Sequence, residues 1–173
     1  MHGDRDAFGI LAERRLPRLV GTAGLILRDA DAADDAAQET LVRAWRDLPG
    51  LREPDRFDAW LHRILVRACG DQLRRRGRDT TRRSDAFPEL AGADEAARHA
   101  DRDEMERALD RLSVEQRTAV VLHYYLGLSH PEIAEATGQP IGTVKSRLSR
   151  AVDYLRAELA AAARVGSRGE ESA

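Results

Sequence analysis

The chain has 173 residues, 34% of them charged and only 5% aromatic, with a formal net charge of -2. So few aromatic side chains suit two small units better than one large core, and a near-neutral total excludes a protein that coats nucleic acid by charge alone. Cys69 is the only cysteine, no run of about 18 apolar residues exists, and the N-terminus mixes acids where a secretory leader would be basic and then apolar. These features exclude an internal disulfide, a cysteine-based zinc site and membrane insertion, and they lead us to expect a cytoplasmic protein.

Apolar residues recur three and four apart and nothing alternates as a strand would, so the expected fold is all-α. A first helix is predicted over about Arg5 to Leu27, with Phe8, Leu11, Leu16, Leu19, Val20 and Ala23 inward and Pro17 as a point of kinking or division. A second, Ala32 to Leu48, has an inner stripe of Ala33, Ala37, Thr40, Leu41, Ala44 and Trp45 and stops at Pro49-Gly50. After a loop to Asp55, a third runs from Phe57 to Arg76 with Trp60, Leu61, Ile64, Leu65, Ala68 and Leu73 inward, and arginines crowd its end.

Charge is unevenly spread beyond that point. From Arg63 to Arg83 eight arginines face two aspartates, whereas from Ser84 to Asp110 nine acids face three arginines. A basic surface on the first unit is thus followed by an acidic connector. Residues 77–100 lack helical periodicity and read as a flexible linker.

The second unit is predicted to open with a helix from Asp101 to Arg111 and to restart at Ser113, where Gln116 completes a capping box. Val120, Val121, Leu122, Tyr125, Leu126 and Leu128 supply its core. Ser129 and Glu132 form a second capping box; Pro131 is tolerated in the first turn, and Gly138 and Pro140 end the helix and make a turn. From about Gly142 a further helix places Val144, Leu148, Ala151, Val152 and Leu155 on one face. Thr143, Lys145, Ser146, Arg147, Ser149 and Arg150 remain outward. This is a helix-turn-helix pattern, and its outward face suits a DNA groove: the cations reach phosphates or a guanine edge, and the short hydroxyls do not hold the helix away. Lys145, the only lysine among 28 basic residues, sits on that face. The chain beyond Leu159 reads as frayed.

Catalysis has little support. The histidines His2, His62, His99, His123 and His130 share no zinc-ligand spacing, no glycine-rich phosphate loop is present, and Cys69 has no nearby histidine to activate it. Neither a metal nor a cofactor is expected.

Two separated segments point to one family. The run from Ala33 to Trp45, Phe57 to Leu61 with Ile64, and then Asp71, Arg74 and Arg75, resembles region 2 of the extracytoplasmic-function (ECF) sigma factors of bacterial RNA polymerase, in the sigma-70 family. Leu112, Arg117, Val120 and Leu122, followed by Glu132 to Ala134 and Gly142 to Arg147, resemble their region 4. The chain departs at Ser113, where the family often has Pro, and at Arg67, where it commonly has Asn; an arginine lacks the acceptor that an Asn amide offers a base edge.

The resemblance implies two small helical domains: region 2 over 5–76, an acidic linker over 77–100, region 4 over 101–159 and a disordered tail over 160–173. It implies that Asp35, Gln38, Glu39 and Arg43 bind core polymerase, which the protein would touch at clamp and flap. Arg52, Arg56, Arg63, Arg67, Arg74 and Arg75 would meet the melted -10 element, where guanidinium planes can stack on bases and neutralise the backbone. Thr143, Lys145, Ser146, Arg147 and Arg150 would meet the -35 duplex. An anti-sigma factor is the expected regulator. The competing reading is a stand-alone helix-turn-helix regulator, a dimer on two half-sites, in which Asp34 to Trp45 has no evident task.

Overall fold

The computed structural model describes residues 2–76 and 97–170, which are helical and joined by short turns. Helix α1, His2–Leu27, buries Leu19, Ala23, Ile26 and Leu27. Pro17 does not divide it. The proline lies on the exposed side, as does Glu13, whose carbonyl loses its intrahelical donor and remains open to water. Arg28 then adopts a left-handed conformation (φ 54°), and Asp29 caps α2, Ala30–Asp47, by accepting the Ala32 amide at 2.8 Å.

The buried face of α2 is made of Ala32, Ala33, Ala36, Ala37, Thr40 and Ala44, side chains small enough for close approach to its neighbours. The buried Thr40 hydroxyl donates to the Ala36 carbonyl at 2.6 Å, so it enters the core without an unmet donor. Helix α3, Phe57–Arg76, closes the unit with Leu61, Ile64, Leu65, Ala68 and Cys69. Trp45 does not reach the interior: it remains 38% exposed and rests on Phe8, ring centroids 5.0 Å apart.

The second unit starts with α4, Ala97–Asp110, four residues before the expected start and inside the segment read as linker. Residues 77–96 of that segment lie outside the described residues. Helix α5, Val114–Val120, carries the Ser113/Gln116 capping box and passes into a π-helical turn over Val121–Tyr125 that ends at left-handed Gly127. Helices α6, His130–Thr137, and α7, Ile141–Glu170, follow. Leu109, Leu112, Leu122, Ile133, Val144, Leu148 and Leu155 form the second core. Helix α7 continues through most of the segment expected to be a disordered tail; four consecutive alanines, Ala160 to Ala163, give that stretch high helix propensity.

The two units are in contact, which no local pattern in the chain predicts. Val121 and Tyr125 of the second enter the core of the first, while Leu25 and Val66 of the first pack on the core of the second. Arg117, on α5, is buried across the seam. Its Nε donates to the Ile26 carbonyl at 2.9 Å, at the end of α1, and its Nη1 reaches the Leu109 and Leu112 carbonyls at 3.3 and 3.4 Å. Carbonyls at a helix end have no intrahelical donor, so a guanidinium satisfies them well. Arg28 pairs with Asp110 and, at 3.5 Å, with Glu106.

Candidate nucleic-acid and polymerase interfaces

The helix-turn-helix is built as its caps require. The Glu132 carboxylate accepts from the Ser129 amide at 2.8 Å and from its hydroxyl at 2.6 Å, and these bonds hold Glu132 below the usual carboxylate range. Gly138 (φ 68°) ends α6 in the left-handed region, and the Gln139 amide bonds to the Ala134 carbonyl at 3.0 Å. Helix α7 then leaves from Pro140.

Rotation along α7 separates the residues assigned to the -35 element. Successive side chains turn by about 100°, so Lys145 and Arg147 stand about 160° apart around the axis, on opposite flanks of the outer face. Ser146, Ser149 and Arg150 lie between them, with Thr143 on the Arg147 side. Lys145 is exposed beside His123, His130 and Ser149 in a shallow groove. Arg147 is half-buried and its Nη1 pairs with the Gln139 side-chain oxygen. Ser146 donates to the Thr143 carbonyl at 3.0 Å. Lys145 and Arg147 therefore cannot both face the floor of one groove.

The arginines assigned to the -10 element fall into two sets. Arg63, Arg67 and Arg74 share one stripe of α3 with Gly70, and that stripe faces the second unit. Arg63 Nη1 pairs with Glu135 Oε1 of α6, and Arg56 Nη2, just before α3, lies 3.4 Å from Glu135 Oε2. Arg67 and Arg74 line a cavity of about 450 Å³ between the units, with Arg147 on its other side and Ile26, Val66, Leu73, Ile133 and Val144 as apolar walls. Arg52 and Arg75 lie outside this set and are exposed.

On α2, Asp35 and Gln38 are exposed, with Val42 beyond them at 63% exposure. Glu39 and Arg43 instead belong to a brace between helices: Arg43 donates to Glu39 and Asp71 at 2.8 Å each, and Asp71 also pairs with Arg74. The Arg43 guanidinium lowers the Asp71 carboxyl, and Asp71 in turn raises Arg43. Sequence reasoning overlooked Glu135. An acid on the exposed side of α6 that, unlike Glu132, takes no part in a cap was the available signal. Cys69 is buried, and burial pushes its thiol up to about 12, which keeps it unreactive.

Residues 11–79 match the family model for Sigma-70 region 2, and residues 102–155 that for Sigma-70, region 4. These matches, in this order on two separately cored units, define a sigma-70-type transcription factor. More narrowly, the chain belongs to the ECF sigma factors of bacterial RNA polymerase. It is 41% identical over 150 residues to the ECF RNA polymerase sigma factor SigM of Mycobacterium tuberculosis, a match covering 86% of this chain and 75% of the relative. It is 33% identical over 162 residues to the RNA polymerase sigma-H factor of Pseudomonas aeruginosa, covering 86% and 84%. Among solved structures, the sigma factor RpoE of Bartonella quintana, in complex with the anti-sigma factor NepR, matches with a TM-score of 0.72 at 31% identity over 90% of this chain and 96% of that one. CnrH, in complex with the cytosolic domain of CnrY, matches with a TM-score of 0.66 at 30% identity over 92% of both. Sigma factors are not a family of enzymes, and no helix among the described residues is long and apolar enough to cross a membrane.

Proposed function

We propose that this sigma factor docks on the clamp of core RNA polymerase through the outer face of α2, reads a -35 duplex through α7 and holds the melted -10 strand on the arginine face of α3. The observation that carries this reading is the separation of two cationic DNA-suited faces onto two units, with a third surface, Asp35 and Gln38, exposed and outside both. Acid and amide groups there complement basic side chains on a partner. In this reading Glu39 and Arg43, tied to each other and to Asp71, position α2 against α3, and Asp35 and Gln38 make the direct contact. Lys145, Ser146, Ser149 and Arg150 fit the -35 groove and its phosphates, with Thr143 and Arg147 at its far flank.

Action on polymerase places the protein in the bacterial cytoplasm. The relative solved with the anti-sigma factor NepR supports an anti-sigma factor as a further partner. A stand-alone regulator leaves the polar outer face of α2 without a task. Run-off transcription by core polymerase over a promoter library tests the proposal. Initiation should require the wild-type chain and fall at least about ten-fold with Asp35→Arg/Gln38→Ala, a loss expected when a charge is reversed in a contact. Full activity of that variant would remove α2 from the docking surface.

A further inference from the structure

We infer that Arg56 and Arg63 form one anion seat, filled by the Glu135 carboxylate in the closed molecule and by a backbone phosphate of promoter DNA once the units part. The inference rests on the reading above, that the arginine face of α3 meets DNA. Two guanidinium groups from different elements converge on the two oxygens of one carboxylate, Arg63 on Oε1 and Arg56 on Oε2. A fork of this kind also fits two oxygens of a phosphate. Glu135 thus acts as an internal competitor for the DNA.

The closed molecule cannot engage both promoter elements. Positions -35 and -10 lie about 25 base pairs apart, or about 85 Å of B-form duplex at 34 Å per turn. Arg147 of α7 and Arg67 and Arg74 of α3 line a single cavity. Residues on opposite walls of one cavity cannot meet elements so far apart, so the units separate before both are read. Separation withdraws Glu135 and leaves Arg63 vacant for phosphate, while Arg56 keeps only its exposed Glu53 contact at 3.7 Å within the same unit, which a phosphate can displace. Arg67 makes no ion pair among the described residues, so it adds a cation to the vacated face without breaking a bond.

The Glu135 pairs contribute little to closure. Glu135 is 46% exposed and Arg56 54%, and ion pairs this open to water are weak. Closure depends on the buried contacts of Val121, Tyr125, Leu25, Val66 and Arg117. Glu135 therefore controls the occupancy of the seat and does not itself hold the units together.

The test uses the free full-length chain and a fluorescein-labelled, mixed-sequence single-stranded DNA 12-mer, followed by anisotropy at low salt. Glu135→Gln should bind about two- to five-fold more tightly than wild type, the fold-change that removal of an exposed competing pair allows. Adding Arg63→Gln should abolish that gain, and Glu13→Gln, an equal charge change on an exposed residue of α1, should give none. Equal binding by wild type and Glu135→Gln, a gain that survives Arg63→Gln, or the same gain from Glu13→Gln would each overturn the inference. Run-off transcription with Arg63→Gln separates the two claims. Lost initiation alongside an unaltered Glu135→Gln leaves the DNA face standing and removes only the competitor, whereas unchanged initiation removes both.

Discussion

His62 is a buried residue whose environment opposes its charge at physiological pH. It lies inside the first unit, 7% exposed, and its Nδ1 has no hydrogen-bond partner among the described residues. Burial lowers its pKa from the ordinary 6.5, Arg18 and Arg15 act in the same direction, and Asp58, itself paired with Arg15 at 2.8 Å, opposes them. The native state therefore binds fewer protons than the unfolded chain just below pH 6.5. Its stability is complete above that value and declines as pH falls toward the lower native pKa. Urea midpoints taken at about pH 7.5 and about pH 5.5 should drop further for wild type than for His62→Leu; equal drops would mean that the imidazole is solvated. Arg117 offers the contrast. Burial also disfavours its charge, but its ordinary value is so high that the guanidinium stays protonated and supplies donors to three carbonyls.

Among the elements, the helix-turn-helix depends on one backbone conformation. Gly138 sits at φ 68° with no atom within 4 Å of the place a Cβ would occupy, so an alanine there meets no neighbour and suffers only from the left-handed backbone. Gly138→Ala should cost about 1 to 2 kcal/mol and lower the melting temperature without altering helix content. A melting temperature within error of wild type would show that α6 ends by another route. Elements with local signals were legible in the sequence: α3 has the bounds that periodicity predicted, and both capping boxes form between Ser113 and Gln116 and between Ser129 and Glu132. The α2 cap was missed because Asp29 works alone, with alanine at the position where a reciprocal Glu or Gln would signal a box. The divergence of Lys145 and Arg147 was also readable from helical rotation, but treating all outward residues as one set concealed it. Glu135 was not readable as a partner of Arg56 and Arg63, because that pairing exists only after two units more than 70 residues apart meet.

At the scale of the molecule, the two cores are interlocked, and what joins them decides how the chain opens. The charged pairs of Arg56 and Arg63 with Glu135 at the seam are partly solvated, whereas Arg28, paired with Asp110 and Glu106, is only 9% exposed, Val121 is 3% exposed, and Leu25 and Val66 pack from the other side. Salt shortens the reach of the first set, from about 10 Å at 0.1 M to about 3 Å at 1 M, and leaves apolar burial intact. The radius of gyration of the free chain in small-angle scattering should therefore hold steady across that range. Val121→Asp places an unpaired carboxylate where the units meet, at a cost of several kcal/mol that separation relieves by returning it to water. That variant should expand while keeping its helix content, because α1 to α3 and α4 to α7 each retain the rest of their own core. Expansion of the wild type by salt, with Val121→Asp as compact as before, would place the hold in the ion pairs and make Glu135 part of the latch as well as the occupant of the seat.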